Sequence, residues 1–425
     1  MAEVPPGVKG MNDILPPEVS KWQFLEQKAR DVLEAYAYRE LRTPVLEYTP
    51  LFVRTVGEVT DVVEKQMYTF DDRDGKSVSL RPEGTASAVR AYVENAQWNK
   101  EPITRWYYIG PMFRHERAQR GRLRQFYQVG AEVFGAGEPS MDAEMIAMLV
   151  SMLVRFGLDA GALEVAVNSL GEPEEREAYR GKLVEYFSAH RDRLDDDSRR
   201  RLETNPLRIL DSKNPDVIAI AAGAPKLIDA LGEASRARFE RVRALLGALG
   251  VKHEVDPGLV RGLDYYTGTI FEIKTKAGEL GAQNTVAGGG RYDRLVASLG
   301  GQATPAIGFA LGIERALLAI PDTAESYEPA LAVFFAPMDT AALDFALPIA
   351  HRLRDKGIRV EIEHRPTSKV GKMMGRANKL RARAAVIIGG NEVASGKLTV
   401  KDLATGTQSE VVVADLEAKI RQLLD

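Results

Sequence analysis

The strongest constraint on the fold is a predicted β-hairpin at residues 104–114 and 124–134. Successive side chains of a strand point to opposite faces of a sheet. One face of the second strand therefore carries Arg124, Phe126, Gln128, Gly130 and Glu132. The opposite face suits a hydrophobic core and carries Tyr127, Val129, Ala131 and Val133.

The polar face of this strand combines an arginine, an aromatic ring, an amide, a glycine gap and a carboxylate. A guanidinium binds phosphate, a ring stacks on a base, and an amide or carboxylate binds an amine or an N–H. The pattern therefore predicts a site for a polar ligand. An ordinary strand with one solvent-facing side is the alternative.

The loop that joins the two strands is basic. It contains Arg117, Arg120 and Arg122 with one acid, Glu116. Guanidinium groups stabilise charge spread over phosphate oxygens, so the loop is suited to a triphosphate, an RNA end or both. A solvated turn is the alternative.

Three further segments suggest a ligand site. Arg261–Gly268 combines an arginine with two adjacent tyrosines, of which only one need face a ligand if the segment is a strand; packing of both is the alternative. The glycine run in Ala287–Asp293 allows close approach of a backbone. Gly308–Arg315 is predicted to open an apolar helix, in which a buried Arg315 needs a carboxylate or a ligand phosphate as its partner.

Composition narrows the class of protein. A chain of 425 residues suggests two or three domains, and the lack of cysteine excludes disulfides and cysteine-ligated zinc. Five scattered histidines give no metal site. No apolar run reaches membrane-spanning length, which fits a cytoplasmic enzyme. A net charge of -3 means that any binding of nucleic acid depends on local basic patches.

The order of predicted elements suggests three regions. Residues 16–37 predict an amphipathic helix, and Leu41–Glu47 predicts a strand that Pro44 restricts to an edge or an interface. The first region continues with a strand at 77–81 and helices at 85–96 and 139–156. Residues 170–250 are charge-dense and helical, as in an insertion.

Pro321–Pro329 has the composition of a linker. Beyond it, alternation predicts a compact α/β domain with strands at 331–336, 358–362 and 385–388, helices at 340–356, 369–383 and 415–424, and a hairpin near 397–413. The helix at 369–383 carries an acid-free stripe at three- and four-residue spacing, formed by Lys369, Lys372, Arg376, Lys379 and Arg383. Such a stripe predicts contact with RNA, and a solvated basic face is the alternative.

These segments together resemble the histidyl-tRNA synthetases, which are class II aminoacyl-tRNA synthetases. Leu41–Glu47 is similar to class II motif 1, Phe113–Glu132 to motif 2 and Gly308–Arg315 to motif 3. The segments that resemble the histidine enzyme in particular are Val8–Asp13, Arg81–Thr85 and Arg261–Tyr266. Gln66 and Arg294 depart from the family pattern.

The resemblance implies an α/β protein with an α+β catalytic core, in which helices flank a class II antiparallel sheet. It implies a catalytic domain at 1–169 and 251–325, a helical insertion at 170–250, and a mixed α/β anticodon-binding domain at 330–425.

The resemblance also implies roles for single residues. Arg114 and Arg261 would be catalytic at the α-phosphate. The histidine-binding residues would be Glu83, Thr85, Gln128, Glu132, Tyr265 and Tyr266. The ATP-binding residues would be Arg114, Glu116, Phe126 and Arg315. The residues that contact tRNA would be Arg122, Arg124, Lys369, Lys372, Arg376 and Lys379.

The implied reaction joins L-histidine to tRNA(His) through histidyl-adenylate, with ATP as substrate, Mg²⁺ bridging its phosphates and no metal held by a dedicated protein site. Motif 1 implies a homodimer, and no membrane partner is expected. One alternative is a histidine-binding regulatory paralogue of histidine biosynthesis. Such proteins lack the anticodon domain and the catalytic arginines. A second alternative is an RNA-binding protein without catalysis.

Overall fold

The computed structural model describes residues 5–57, 60, 62–210, 212, 214–260, 265–278, 280, 284–320 and 327–424. It divides into two compact units, Met1–Tyr327 and Glu328–Asp425. Among these residues, no helix combines the length and the apolar character that a bilayer span requires.

The strands of the first unit are β1 Arg39–Glu40, β2 Leu46–Tyr48, β3 Tyr68–Asp71, β4 Ser77–Leu80, β5 Thr104–Phe113, β6 Gln125–Phe134, β7 Leu163–Ser169, β8 Glu254–Val255, β9 Thr267–Thr275, β10 Thr285–Arg291 and β11 Ala306–Gly312. Its helices are α1 Glu18–Ala35, α2 Thr49–Val56, α3 Thr85–Glu94, α4 Pro139–Arg155, α5 Pro173–Ser188, α6 Asp196–Thr204, α7 Pro215–Ala221, α8 Glu233–Ala248, α9 Leu295–Ser298 and α10 Ile313–Ala319.

Eight strands of the first unit form one sheet in the order β1-β5-β6-β11-β10-β9-β7-β8. The central pairs are antiparallel, and the two edge pairs, β1–β5 and β7–β8, are parallel. Helices α1, α4, α8 and α10 cover one face and share its core with the sheet. The predicted antiparallel sheet flanked by helices is therefore confirmed.

The alternation predicted for the hairpin is also confirmed. Tyr127, Val129, Ala131 and Val133 of β6 belong to or pack against the core beneath the helices. The opposite face of β6 carries Phe126, Gln128, Glu132 and Phe134, and helices α3 and α9 pack against it at Phe134. This second face is where a ligand site can form.

Two predicted elements are wrong. Leu41–Glu47 is not one strand, because β1 ends at Glu40 and β2 begins at Leu46. β1 lies at an edge of the large sheet, while β2 is an edge of a separate three-stranded sheet, β2-β4-β3. The intervening segment contains Pro44, which lacks the N–H that a ladder needs.

The helix predicted to begin near Gly308 is the second error, because Ala306–Gly312 is strand β11 and the helix begins only at Ile313. β11 lies between β6 and β10, where glycines permit close packing of the strands. A Cβ on Gly289 would lie 2.1 Å from the carbonyl oxygen of Gly308. The close approach predicted for the glycine run is therefore to a neighbouring strand.

The charge-dense region contains helices, as predicted. Helices α5, α6 and α7 pack around Tyr179, Leu183 and Phe187, in a cluster that also includes Ala166 of β7 and Ile270 of β9. Helix α8 packs elsewhere, since Phe239, Val242 and Leu246 belong to the core of the large sheet.

The second unit contains a five-stranded sheet in the order β13-β12-β14-β15-β16. Its strands are β12 Val333–Pro337, β13 Val360–Ile362, β14 Ala384–Ile388, β15 Lys397–Asp402 and β16 Gln408–Val412. Its helices are α11 Thr340–Asp355, α12 Val370–Lys379, α13 Gly390–Ser395 and α14 Leu416–Leu424. The predicted α/β alternation is confirmed, except that α12 ends four residues early and α13 was not predicted.

Candidate active site

A cavity of about 530 Å³ opens on the face of the large sheet that carries Phe126 and Gln128. Most of the residues predicted from sequence line it: Glu83, Thr85, Arg114, Glu116, Arg122, Phe126, Gln128, Tyr265, Tyr266 and Arg315. They come from β6, the basic loop, the start of α3, the segment before β9 and the start of α10. Predicted residues that are distant in sequence therefore meet at one site.

Arginines gather at one end of the cavity. The guanidinium of Arg114 lies 5.2 Å from the centre of the Phe126 ring, and its Nε donates to the carbonyl oxygen of Pro82. Arg315 donates to the carbonyl oxygens of Gly121 and Thr285, at 3.2 and 2.9 Å. These backbone contacts hold Arg315 against the basic loop, so this end suits phosphate groups and a stacked ring.

The basic loop is tied to its surroundings. Arg122 and Glu116 form an ion pair with an N–O distance of 3.5 Å. Arg124 does not line the cavity; its Nε donates to the carbonyl oxygen of Glu116 and its backbone N–H donates to Gly10.

The middle of the cavity carries acceptors. Both carboxylate oxygens of Glu83 accept backbone N–H groups at the start of α3, from Thr85 at 2.7 Å and Ala86 at 2.8 Å. Gln128 is buried, and its Oε1 has no hydrogen-bond partner in the part of the chain that the structure describes. A buried acceptor without a donor is costly, so this atom is a position for a donor on a ligand.

Glu132 lies behind the lining and is fully buried. Its Oε1 accepts hydrogen bonds from the Thr85 hydroxyl at 2.7 Å and the Tyr108 hydroxyl at 3.0 Å, and its Oε2 accepts one from the Tyr292 hydroxyl. Burial raises the pKa of Glu132 to about 8, although the three hydroxyl groups favour the ionised form and limit the rise.

The tyrosine pair differs from its prediction. Tyr265 and Tyr266 precede β9 and are not part of a strand, so both line the cavity, with ring centres 4.7 Å apart. The premise that the two tyrosines alternate along a strand is therefore wrong. Arg261 and the three residues after it lie outside the described residues.

Sequence reasoning missed other residues of the site. Tyr292 lines the cavity, and Tyr108 fills the glycine gap that was predicted to face a ligand. Glu272 and Lys274 also line the cavity. Glu272 and Lys274 could have been found from the alternation of β9, because Phe271 and Ile273, which alternate with them, face the core.

The basic stripe of the second unit is shorter than predicted, and two of its five cations pair with acids on other elements. Helix α12 ends at Lys379, so Arg383 lies outside it and forms an ion pair with Asp402. Arg376 is held by two carboxylates of β13, Glu361 at 2.7 Å and Glu363 at 2.8 Å. The remaining exposed cations of the stripe are Lys369, Lys372 and Lys379.

A large antiparallel sheet with a site of this kind on one face defines a class II aminoacyl-tRNA synthetase. The family model for histidyl-tRNA synthetase matches residues 10–316, and the model for an anticodon binding domain matches residues 332–423. The chain belongs to the histidyl-tRNA synthetase family.

Curated relatives agree over nearly the whole chain. The histidine–tRNA ligase of Halorhodospira halophila is 53% identical over 399 residues, which are 93% of this chain and 92% of the relative. That of Sorangium cellulosum is 50% identical and covers 98% of this chain and 96% of its own length. Apo histidyl-tRNA synthetase from S. aureus superimposes with a TM-score of 0.81 at 36% identity, covering 99% of this chain and 100% of that one.

Proposed function

We propose that the chain is an ATP-dependent aminoacyl-tRNA ligase that activates L-histidine and then transfers it to the 3′ end of tRNA(His). Relatives of this name match at about 50% identity along nearly their full length and along nearly all of this chain. The observation that carries the proposal is a single cavity that is lined by arginines and by the unpartnered Gln128 acceptor, with the buried Glu132 behind its wall. The anticodon-binding unit argues against a regulatory paralogue that lacks it.

The arginine end of the cavity is assigned to ATP. Arg114 would bind the α-phosphate, Arg315 the γ-phosphate, Phe126 would stack on adenine and Glu116 would accept from its amino group. The ring contact between Arg114 and Phe126 supports this assignment, because it brings a cation and a stacking surface together. Arg261, which the family pattern assigns to the same α-phosphate, completes the set of catalytic arginines.

The acceptor end is assigned to histidine. Glu83, Thr85 and Gln128 would bind the α-ammonium group, and the unpartnered Oε1 of Gln128 supports this. Glu132, Tyr265 and Tyr266 would bind the imidazole. A ligand without an N–H at this position would leave one acceptor position of the buried Glu132 carboxylate unfilled, which costs binding free energy.

The first step needs little proton transfer, because the substrate carboxylate is ionised at neutral pH. One of its oxygens attacks the α-phosphorus of ATP, and the bond to the pyrophosphate oxygen breaks. Positioning of the two substrates and stabilisation of phosphate charge by Arg114 and Arg261 supply the catalysis. The terminal ribose hydroxyl of the tRNA then attacks the activated carbonyl, and AMP leaves.

The cavity fits a Mg²⁺ ion that is held mainly by ATP. Among the described residues, four carboxylates line it, those of Glu83, Glu116, Glu272 and Glu314. Glu83 and Glu314 already accept backbone N–H groups, and Glu116 pairs with Arg122 and is assigned to adenine, so we assign the ion to Glu272. The described residues contain no group of three or more metal-ligating side chains. When bound, Mg²⁺ neutralises phosphate charge.

The assembly proposed is a homodimer. Val45, Leu46, Tyr48 and Phe70 are exposed at the β2-β4-β3 sheet. Several large apolar side chains exposed together favour a protein interface. The segment includes the part of the sequence that resembles motif 1.

The domain and partner assignments follow the same family pattern. We assign catalysis to 1–169 and 251–325, an insertion to 170–250 and anticodon binding to 330–425. The two-unit division at Tyr327 supports the boundary of the anticodon-binding domain, and the packing of α5–α7 in one cluster supports the insertion. We assign tRNA contacts to Arg122, to Arg124 and to the lysines of α12. Arg376 should contribute less to these contacts, because it is paired with two carboxylates. A tRNA substrate implies action in the cytoplasm.

Histidine-dependent exchange of pyrophosphate into ATP tests the proposal. Glu132→Ala should raise the KM for histidine or abolish exchange, with ATP binding retained. Phe126→Ala should raise the KM for ATP and leave that for histidine nearly unchanged. Histidine activation that survives Glu132→Ala intact would contradict the assignment.

A further inference from the structure

Tyr108 occupies an unusual place beside the candidate histidine end of the cavity. It lies on β5 directly opposite Gly130 of β6, and its side chain is buried. Like Glu132, it lies behind the residues that line the cavity. Its hydroxyl donates to Oε1 of Glu132 at 3.0 Å.

Two glycines make room for this ring. A Cβ on Gly130 would lie 2.2 Å from Cζ of Tyr108, and a Cβ on Gly84 would lie 2.2 Å from its Cε2. Real Cβ atoms do not approach other carbons so closely, so the ring fits only between two glycines. Gly84 connects Glu83 with Thr85, and Gly130 separates Gln128 from Glu132. Tyr108 therefore touches both segments that carry the acceptors of the site.

The hydroxyl groups around Glu132 limit how a ligand can bind it. A carboxylate offers about four acceptor positions, two on each oxygen. Thr85 and Tyr108 occupy both positions of Oε1, and Tyr292 occupies one position of Oε2. Among the described residues, this leaves one position on Oε2 for a donor from the substrate.

We infer that Tyr108 is a positioning residue for amino-acid recognition: it fixes the Glu132 carboxylate and favours its ionised form, so that a single acceptor on Oε2 remains for a substrate N–H. This inference depends on the histidine-activating function proposed above. It assigns a role to a residue that lies one layer behind the cavity wall.

Binding of a substrate N–H by Glu132 should depend on pH. Glu132 is surrounded by Glu83 and Thr85 at the start of α3, Tyr108 on β5, Tyr265 before β9 and Tyr292 after β10. Burial and the charge of Glu83 favour the protonated form of Glu132, and the hydroxyl donors oppose them. Removing a donor should therefore raise the pKa of Glu132 further.

Tyr108→Phe tests the inference, because it keeps the ring between the glycines and removes only the hydroxyl. Pyrophosphate exchange is measured against histidine and against ATP between about pH 6 and pH 9. A hydrogen bond to an ionised group shifts a pKa by about one unit or more. The KM for histidine should rise about tenfold at neutral pH and the KM for ATP should stay unchanged. The pH below which histidine binding weakens should move up by about one unit.

Tyr107→Phe is the matched control. Tyr107 is the next residue on β5, is equally buried and faces the opposite core, where its hydroxyl lies 3.5 Å from Glu34. Its pH profile should match that of the unmodified enzyme. If Tyr108→Phe does not fold, Tyr292→Phe removes another donor from the same carboxylate and should move the profile in the same direction.

A second measurement separates positioning from a merely structural role. Histidine binding without ATP is followed by calorimetry in buffers of different ionisation enthalpy, which reports proton release from Glu132. Tyr108→Phe should release more protons on binding near pH 8. An unchanged pH profile and proton release in both hydroxyl variants would overturn the inference, although histidine-dependent exchange would still support the function. A lack of exchange with histidine in the unmodified enzyme would instead contradict the function.

Discussion

Replacing Glu132 with glutamine should make the stability of the catalytic unit less dependent on pH. The carboxyl is fully buried, and its pKa is raised from 4.5 to about 8 by burial. Because the folded protein holds this proton more tightly than the unfolded chain, the free energy of unfolding falls as pH rises from about 4.5 to 8 and then levels. At about 1.36 kcal/mol per unit, the loss between pH 5 and pH 8 is about 4 kcal/mol.

Glutamine has nearly the same shape and does not titrate in this range. The difference in unfolding free energy between Glu132→Gln and the unmodified protein should therefore change by about 4 kcal/mol between pH 5 and pH 9, in favour of the variant at high pH. Glu314, whose pKa burial raises to about 7, is present in both proteins, so its contribution cancels.

Urea unfolding followed by tryptophan fluorescence measures this difference in the full chain. All three tryptophans, Trp22, Trp98 and Trp106, belong to the first unit, so the signal reports the catalytic unit alone. If the difference in unfolding free energy stays constant from pH 5 to pH 9, Glu132 has the same pKa in the folded and unfolded chains, and burial does not raise it.

Three further changes have defined outcomes. Gly130→Ala should lower the unfolding free energy by about 1–3 kcal/mol in urea titration, because its Cβ would lie 2.2 Å from an aromatic ring. Arg291→Met should cost about 3–5 kcal/mol in the same assay, because it leaves the buried Asp142 carboxylate with only the more distant Arg238, at 3.9 Å, as an ion-pair partner; a cost under 1 kcal/mol would contradict this. Lys372→Ala should lower the slope of log K for tRNA binding against log salt concentration by the amount expected for about one phosphate contact. Arg376→Ala should lower this slope less, because Arg376 is neutralised by two carboxylates.

The ligand face of β6 could be predicted because it depends on local alternation alone. Each side chain on a strand has its direction set by its own position, so Gln128 and Glu132 could be assigned to the same face as Phe126 from the sequence. At Gly130 the sequence indicates only that no side chain is present. The ring that fills it comes from Tyr108, 22 residues earlier, and its place depends on the register between two strands.

Errors arose where distant segments decide the outcome. Ala306–Gly312 is apolar and glycine-rich, which does not distinguish a fully buried strand from a helix. Its identity as β11 depends on pairing with β6 and β10 on either side. The acids that hold Arg376 lie on β13 and not on its own helix, so the spacing of the basic stripe gave no sign of them.

Activation of histidine in this cavity can be measured as exchange of pyrophosphate into ATP. The purified full chain is assayed without tRNA, in the presence of each of the twenty amino acids in turn. Exchange should occur with histidine alone. Exchange with another amino acid, or histidine binding without any exchange, would contradict it, and the second result would favour a regulatory histidine-binding protein.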